Sequence, residues 1–389
     1  MFETTAKKLH PHFDQIRQIG STRRWLRSAL YHELKPLLNE TLNVCELGNG
    51  TVAPAGPKEN YRAVSWNVER GIFFEGVAHL MKTHPEIAGA DIYFVPETDV
   101  GMARSRNRNV ARELAQRLRL HYAFTPCYVN LDKGNGPEAE LADGHNEVGI
   151  HGNALLSRWP LKNPRQIILK NCKDKMRGRE KRLGSQRALV VDAMLPRGAL
   201  RAVCVHLDAH SSQRQRVGQM QTILDFLDRE NFSGPTLIGG DWNTSTYYAN
   251  HALPVFFSFW RKVAMGPAYV TKTHYPHPER YFERRLFEMI EARGFDYKKF
   301  NAMGVPTMHY HFGDETKNKN MRDWTPRFFQ IFVDWAVKKA GGRSGFKIDW
   351  FAGAKLNPVA ESQRVVGNLI FQGKPISDHD AILVDFQLP

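Results

Sequence analysis

The sequence predicts an α/β layered domain in which mixed β-sheets are covered by helices on the outside. From Tyr61 onward, short apolar runs rich in β-branched residues alternate with amphipathic stretches at helical spacing. Two of the strand-like runs are joined by the hairpin signal Pro196-Arg197-Gly198, whereas others are separated by a helix. Because hairpins give antiparallel pairs and helical crossovers give parallel pairs, both kinds of pairing are expected in the sheets.

Length and composition fit a protein with a large buried core. The chain has 389 residues, of which 42% are hydrophobic and 24% are charged, as is ordinary for globular proteins. Length alone allows one large domain or two. Lysine and arginine exceed acidic residues by 54 to 40, which gives a formal net charge of +14. This charge predicts attraction to polyanions such as nucleic acid, anionic lipid or phosphorylated small molecules, and general basicity without a bound polyanion is the alternative.

The sequence carries no signal of a membrane or secreted protein. No apolar run approaches the ~18 residues that span a bilayer, and the first residues lack the apolar segment of a secretory signal. The four cysteines, at 45, 127, 172 and 204, show no paired short spacing. This spacing argues against a zinc ribbon or a CxxC motif and indicates reduced thiols. We therefore expect a cytoplasmic protein without a transmembrane segment and with no evident protein partner.

Residues 1–60 are expected to form a helical extension and a linker. Leucines recur at helical spacing after Ser21 or Thr22, either of which can cap the helix. Pro36 should end or kink this helix near Leu34. The opposite face carries three arginines, and packing on the main domain is favoured over binding to a membrane surface. A linker rich in glycine and proline follows.

Residues 61–389 are expected to form the main domain, interrupted by a helical insertion at 245–345. Strands are predicted at 61–68, 90–97, 149–161, 187–195, 200–208, 236–243, 346–353 and 379–388. Helices are predicted at 74–84, 108–120 and 213–230. The insertion is too rich in aromatic residues to remain unfolded. We expect it to form a helical cap over one side of a cleft, with its aromatic runs buried and its basic stretch partly exposed.

Polar side chains recur where the predicted strands end. The stretch TLIGGDWNTS at 236–245 is an example, because Asp241 and Asn243 follow two glycines and would project from the same face if strand geometry persisted. In open α/β sheets, ligands bind at such strand ends. Other strand ends present the following residues: Asn67, Glu97, His206, Asp208, Asp349, Ser377, Asp378 and His379. Each has a structural alternative, such as an Asx turn or a hydrogen-bonded core histidine, but together they predict one polar site.

The ordered motifs SWNV, PE, HLD, GGDWN, KIDW and SDHDAI resemble those of the endonuclease/exonuclease/phosphatase superfamily. The resemblance covers residues 61–389 without the insertion, and the motifs are specific as a group although each is weak alone. It implies a four-layer sandwich of two facing mixed β-sheets with outer helices. One position departs from the family pattern, since Pro96 stands where glutamine usually precedes the metal-binding glutamate.

The resemblance implies metal-assisted attack of water on a phosphate ester, a reaction that needs a hard cation, a base and donors to the phosphate. Glu97, Asn67 and Asp378 would bind Mg²⁺, for which Mn²⁺ can substitute. Asp241 would orient or deprotonate the water, and Asn243 would assist it. His379, held by Asp349, would act at the phosphate as base or charge stabiliser, and His206 would be a second donor.

Substrate contacts are expected from Asp208, from Arg106 in the basic stretch 104–112, and from Arg187. A second basic stretch at 173–182 can also bind nucleic acid or a charged head group, and a solvated face is the alternative for both stretches. The expected function is metal-dependent phosphodiester hydrolysis, with nucleic acid ranked first as substrate. A lipid or inositol-phosphate hydrolase is the alternative, and a non-catalytic polyanion-binding module is the alternative of another class.

Overall fold

A computed structural model describes residues 2–51, 56–244, 252–311, 335, 338–339 and 341–389. Its helices are α1 Phe2–Lys7, α2 Phe13–Ile19, α3 Thr22–Trp25, α4 Ala29–Leu42, α5 Phe74–Thr83, α6 Val110–Leu118, α7 Pro137–Leu141, α8 Gln213–Arg229, α9 Ala252–Met265, α10 Pro267–Tyr269 and α11 Arg284–Ala292. Single 3₁₀ turns lie at His10–His12, Ala103–Ser105 and Lys175–Arg177, and a π-helical turn lies at Val270–His274.

The strands are β1 Glu46–Gly48, β2 Tyr61–Ser65, β3 Ile92–Val100, β4 His121–Asn130, β5 Ile150–Ser157, β6 Leu161–Ile168, β7 Arg182–Gly184, β8 Arg187–Leu195, β9 Gly198–His206, β10 Thr236–Asp241, β11 Met308–His311, β12 Arg343–Phe346, β13 Asp349–Ala354, β14 Asn357–Pro358, β15 Arg364–Val366, β16 Ile370–Phe371, β17 Lys374–Pro375 and β18 Ala381–Gln387. Most form two large sheets, and β11–β12 and β16–β17 are separate two-stranded ribbons.

Both large sheets mix parallel and antiparallel pairs. The first sheet has the order β1-β4-β5-β3-β2-β18-β14, with β15 on the same edge of β18 and β7 on β4. In it β2 and β3 are parallel, and the pairs β3–β5 and β2–β18 are antiparallel. The second sheet has the order β13-β10-β9-β8-β6, in which β9 and β10 are parallel. This is the mixture that hairpins and helical crossovers predict.

The two sheets face each other across an inner apolar core. Side chains alternate along β3, so that Phe94 points into this inner core while Tyr93 points to the outer face of the sheet. Phe94 meets Phe351 of the second sheet edge to face, with ring centroids 5.5 Å apart. On the outer faces, α1, α2 and α4–α6 cover the first sheet, and α8 and α11 cover the second. The structure therefore confirms the expected α/β sandwich of four layers.

The N-terminal helices pack on the first sheet. Phe2 stacks on Phe124 of β4 with ring centroids 5.9 Å apart, and Trp25 is buried in the same outer core. The predicted single helix is two helices, because Ser21 caps α3 and Ser28 caps α4. Pro36 does not end the helix near Leu34, since α4 continues to Leu42 with Pro36 inside it, and a kink at this position stays a prediction. An internal proline costs about 3 kcal/mol, and the buried leucines on both sides of it offset that cost. The division of the chain at residue 60 stays a prediction.

Part of the predicted insertion belongs to the main core. Phe287 of α11 packs against Trp242 and Trp350, so this helix covers the second sheet as α8 does. On α9 the expectation of buried aromatic residues is wrong for Phe256, Phe257 and Trp260, which are 45%, 68% and 39% exposed.

The predicted basic stretch of the cap, with Lys317, Lys319 and Arg322, lies outside the described residues, and so does the second aromatic run apart from Trp335. The cap itself stays a prediction. Within the described part of the chain, no helix combines the length and apolarity that crossing a membrane requires. All four cysteines are free thiols.

Candidate active site

Three of the predicted residues stand side by side at one end of the second sheet. Asp241, the last residue of β10, is in register with His206 at the end of β9 and with Asp349 at the start of β13. All three side chains are buried. The pairing of three neighbouring strands therefore brings together residues that are far apart in the sequence.

Neighbouring atoms leave no room for a side chain at either of the two glycines before Asp241. They lie inside β10, where a Cβ at Gly239 would stand 2.6 Å from the Phe351 ring and one at Gly240 would stand 1.9 Å from the carbonyl oxygen of Val205. Gly240 also has a φ of +137°, which L side chains rarely adopt. The glycines therefore let β10 pack against both neighbours and continue to Asp241.

Asp241 and Asn243 are linked by an Asx turn. The backbone N–H of Asn243 donates to Asp241 Oδ1 over 2.8 Å, and the Asn243 amide donates to the carbonyl of Leu207 over 2.9 Å. Asn243 has a φ of +49°, so strand geometry does not persist to this position. The turn leaves Asp241 Oδ2 facing the other polar side chains of the site.

The first sheet contributes Asn67, just after β2, and His379, just before β18. Asn67 Nδ2 lies 3.3 Å from Asp241 Oδ2 and 3.5 Å from His379 Nε2. His379 Nδ1 lies 2.9 Å from Asp349 Oδ2, and its Nε2 lies 3.8 Å from Asp241 Oδ2. His379 thus bridges the carboxylates of two strands that belong to the facing sheet.

Thr307, in the predicted insertion, is a residue that sequence reasoning missed. Its hydroxyl donates to Asp349 Oδ2 over 2.7 Å and accepts the backbone N–H groups of Ile348 and Asp349, each over 3.1 Å. Thr307 therefore fixes both the side chain and the backbone of Asp349. A single threonine before a short strand carries no motif, so no sequence signal pointed to it.

Glu97 enters the site at a bulge in β3. The pairing of β3 with β5 shifts register between Val95 and Thr98, and Glu97 has a φ of +55°. Its carboxylate lies 3.5 Å from His206 Nε2, which in turn lies 3.6 Å from Asp241 Oδ2. One imidazole nitrogen therefore faces two carboxylates, one from each sheet.

Burial and neighbouring charges set unequal proton affinities in this group. Burial lowers the pKa of His206 to about 4, against the opposing charge of Glu97. Burial opposes the charged form of His379 too, but Asp349 and Asp378 hold its pKa well above the usual range. Burial raises the pKa of Asp241 well above its ordinary value despite the charge of His379. Burial therefore favours neutral His206, whereas its acidic neighbours favour the imidazolium form of His379.

Arg70 is a second residue that the sequence analysis did not single out. Its Nε lies 3.7 Å from Glu97 Oε2, and its Nη1 donates to Glu138 Oε1 over 2.7 Å. Burial favours the protonated form of Glu97, but the charge of Arg70 holds the pKa of this carboxyl below its ordinary value. The Arg70 backbone has a φ of +65°. The turn that contains Arg70 reaches the bulge of β3, a contact that could not be predicted from the sequence.

Asp208, Arg106 and Arg187 are not brought into this cluster. Asp208 accepts both Lys175 Nζ, at 2.9 Å, and the backbone N–H of Cys172, at 3.0 Å, and so organises a neighbouring loop. Arg187 donates to Gln166 over 2.7 Å and to the carbonyl of Leu42, which anchors the end of α4.

Arg106 lies on the outer face of the first sheet. There the pKa of Glu75 is lowered chiefly by a hydrogen bond from Arg117, with a smaller contribution from Arg106.

Asp378 lies at the rim of the cluster, with its Oδ1 4.0 Å from His379 Nε2.

The donor chemistry around Glu97 fits a hard divalent cation. Within the described residues, neither side-chain oxygen of Glu97 accepts a hydrogen bond, and its charge adds to the factors that raise the pKa of Asp241. A divalent cation beside these carboxylates would relieve that repulsion. Asp241, Asp349 and His379 also offer ligand atoms within 4.8 Å of one another. Because Asp349 Oδ2 is already hydrogen-bonded to His379 Nδ1 and to the Thr307 hydroxyl, we interpret this second group as a hydrogen-bonded relay.

Comparison with known proteins identifies the family. Residues 64–286 match the endonuclease/exonuclease/phosphatase family, which is more than half of the chain, so the chain belongs to that family. Its members are typically hydrolases of phosphate esters. The expected superfamily is therefore confirmed.

Particular relatives are more distant. The chain is 31% identical over 135 residues to the uncharacterized protein YbhP of Escherichia coli, a match that spans 35% of this chain and 48% of that protein. A solved endonuclease/exonuclease/phosphatase from Beutenbergia cavernae is 17% identical, with 85% of this chain and 72% of that chain covered and a TM-score of 0.49. The human Nocturnin catalytic domain with a bound sulfate anion is 14% identical, with 89% and 97% covered and a TM-score of 0.45.

Proposed function

We propose that this chain is a Mg²⁺-dependent hydrolase of phosphodiesters, with nucleic acid as the favoured substrate class. The observation that carries the proposal is the contact between the sheets, where the Asp349–His379 pair lies against Asp241 and Asn67. This arrangement brings the imidazolium form of His379, which Asp349 holds in place, next to the buried carboxyl group of Asp241. Those are the groups that attack of water on a phosphate ester requires.

Asp241 is the proposed base for water. A carboxyl group whose pKa is raised accepts a proton more readily than an ordinary aspartate does. Asn67 lies 3.3 Å from it, and the Asx turn holds its other oxygen, so only one oxygen faces the cluster. The water that it orients would lose its proton to that oxygen as the new bond to phosphorus forms. The ester P–O bond would break, and the leaving oxygen would take a proton from solvent water.

His379 and His206 are the proposed donors to the phosphate. The His379 imidazolium, aligned by Asp349, would stabilise the negative charge that develops on the phosphate oxygens. Neutral His206 would donate one hydrogen bond without adding charge. Since Asp349 and Asp378 raise the pKa of His379 and so favour its imidazolium form, its proposed role is charge stabiliser rather than base.

The metal would be held by Glu97, with Asn67 and Asp378 as further oxygen donors. When bound, it would neutralise the non-bridging oxygens and polarise the phosphorus. The charge of Arg70 keeps Glu97 ionised and therefore ready for a cation. Arg70 would also repel a bound cation and so limit the positive charge that the site can hold.

A lipid-linked phosphodiester is the second candidate substrate. Phe256, Phe257 and Trp260 of α9 are exposed, and aromatic side chains of this kind can contact a lipid surface. A non-catalytic polyanion-binding module is disfavoured, because a binding surface has no need of a buried, paired cluster of this kind.

The test is turnover by the full chain on DNA, RNA, sphingomyelin, phosphoinositides and bis-aryl phosphodiester. We expect hydrolysis of a nucleic acid with Mg²⁺, loss with chelator, and loss in Asp241→Asn at unchanged thermal stability. Chelator-resistant turnover would contradict the metal assignment. Equal rates for the parent and Asp241→Asn would contradict the site.

A further inference from the structure

The cations on and around the two basic stretches of the sequence differ in whether they form ion pairs within the protein. In the stretch 104–112, three of the four arginines form ion pairs. Arg104 pairs with Asp99 over 2.7 Å, Arg108 with Glu75 over 2.8 Å, and Arg112 with Glu3 over 2.7 Å. These three cations are neutralised within the protein, whereas Arg106 is exposed and forms no ion pair within the described residues, so most of the charge of this stretch is not available to a partner.

The second stretch, at 173–182, is fastened to the N-terminal helices. The backbone N–H of Thr22 donates to both carboxylate oxygens of Asp174 over 3.1 Å, and the Thr22 hydroxyl donates to the same group. Asp174 also caps the 3₁₀ turn Lys175–Arg177 through the N–H of Met176. Two segments 152 positions apart in the sequence are thereby joined at one point of the surface.

This junction gathers exposed cations that remain unpaired. Arg23, Arg24 and Arg27 follow Thr22, and Lys173 precedes Asp174; all four side chains are exposed. Within the described parts of the chain, none of the four forms an ion pair. Arg177 is 72% exposed, and its nearest carboxylate is Asp174 at 3.7 Å, which Thr22 already engages.

The junction is also tied to the strand that carries His206. Lys175, next to Asp174, contacts both oxygens of Asp208 over 2.9 Å. Asp208 follows His206 by two residues at the end of β9, and its own N–H is held by Gln219 over 3.0 Å. The basic loop is therefore anchored beside the end of β9, and the unpaired arginines continue outward from it.

We propose that residues 22–27 and the loop 172–177 form one surface that binds the sugar–phosphate backbone of a nucleic acid whose scissile bond lies at the candidate active site. This inference rests on the proposed function, because it assigns the path of a strand leading to that site. Arginine suits this task, since its planar group donates two parallel hydrogen bonds to phosphate. Three arginines on one short segment can contact successive phosphates of one strand.

The same observations disfavour a membrane partner for this surface. A helix that binds a membrane surface presents large apolar side chains outward. Here Trp25, the large apolar side chain of α3, is 3% exposed and belongs to the core, and Leu26, at 48% exposed, follows the end of the helix. With four residues, α3 is also too short to lie along a bilayer.

The test measures binding without turnover. The full chain, with chelator present, is titrated into labelled DNA and RNA single strands of 5 and 25 nucleotides at several salt concentrations. For the 25-mer, Arg23→Gln/Arg24→Gln/Arg27→Gln should weaken affinity at least tenfold and reduce the salt slope by about two, as expected for three lost phosphate contacts. The 5-mer, which can fill the candidate active site alone, should show a smaller loss.

A matched control removes the same charge elsewhere. Arg280, Arg284 and Lys299 are exposed and each pairs with a carboxylate, so changing all three to glutamine should leave the 25-mer salt slope unchanged. The charge-preserving Arg23→Lys/Arg24→Lys/Arg27→Lys should keep most of the slope. Equal losses in both glutamine triples, equal losses for both strand lengths, or tighter binding to phosphatidylserine vesicles than to the 25-mer would each overturn the proposal. Because no turnover is needed, these outcomes stand apart from any failure of the hydrolysis assay.

Discussion

His379 Nδ1 lies 2.9 Å from Asp349 Oδ2, and this contact joins the two sheets at the candidate site. His379 precedes β18 of the first sheet, and Asp349 begins β13 of the second. The carboxylate is fixed in turn by Thr307 over 2.7 Å. The pair is therefore a rigid unit rather than two independent side chains.

If the pair acts as a unit, its two members should not contribute independently. We expect Asp349→Asn and His379→Ala each to lower kcat by about 10²–10⁴, and the double variant to be no worse than the more severe single one. The measurement is kcat on a bis-aryl phosphodiester. If the fold-losses in kcat of the two single variants multiply in the double variant, the contact between the two side chains does not contribute to catalysis.

Metal binding should depend on Glu97. Its oxygens accept no hydrogen bonds within the described residues, so Glu97→Gln removes a charge without breaking the fold. We expect at least about tenfold weaker Mg²⁺ binding by calorimetry, with an unchanged circular dichroism spectrum. Glu113→Gln, on the outer helix α6, is the control and should bind Mg²⁺ as the parent does. Parent-like affinity in Glu97→Gln would place the cation elsewhere.

Lys347 should reduce stability near neutral pH. Its amine is fully buried 4.5 Å from the Trp350 ring centre, and within the described residues it has no hydrogen-bond partner. Burial lowers the pKa of Lys347 to about 8, from an ordinary value of 10.5. Between these values the unfolded chain binds more protons than the folded chain, so the free energy of unfolding rises with pH across this window.

Lys347→Met should therefore raise the free energy of unfolding at pH 7 by about 2–3 kcal/mol, and the gain should shrink as the pH rises from about 8 to 10.5. Urea unfolding at a series of pH values measures it. Lys355→Met, at an exposed position, should show no such trend. A gain that is the same at pH 7 and pH 10.5 would mean that packing, and not the buried charge, is responsible.

Gly240 should tolerate no side chain, whereas Gly198 is a matched position without the steric conflict. Their φ angles are +137° and +146°, but an added Cβ would lie 1.9 Å from Val205 O at Gly240 and within 4 Å of no atom at Gly198. We expect Gly240→Ala to lose at least about 2 kcal/mol more than Gly198→Ala. Comparable losses in denaturant unfolding would assign the cost to backbone strain alone.

Most of the large strands and helices could be predicted from the sequence, because the hydrophobic period reports them, but β4 at His121–Asn130 was not predicted. The predicted strands 200–208 and 236–243 each run two residues beyond the ends of β9 and β10, which lie at His206 and Asp241. Register could not be predicted, since it depends on pairing between strands far apart in the chain. That Asp241 faces both His206 and Asp349 is therefore known only from the structure.

Residues that act through long-range contacts were the hardest to assign. Arg187 and Arg106 look like substrate contacts because they are basic, yet one anchors α4 and the other lies on the outer face of the first sheet. Thr307 and Arg70 belong to no motif, and their partners are distant in the sequence. Charge and residue type thus predicted the kind of site, but the contacts of the individual side chains are known only from the structure.

The division of the cluster between two sheets has a consequence for when it can exist. Asn67 and His379 come from one sheet, and His206, Asp241 and Asp349 come from the other. His379 is the last of these residues to leave the ribosome, and it closes the contact between the sheets. A nascent chain that has already formed β9 and β10 therefore still lacks the imidazolium, so the cluster assembles only when the two halves of the sandwich have met.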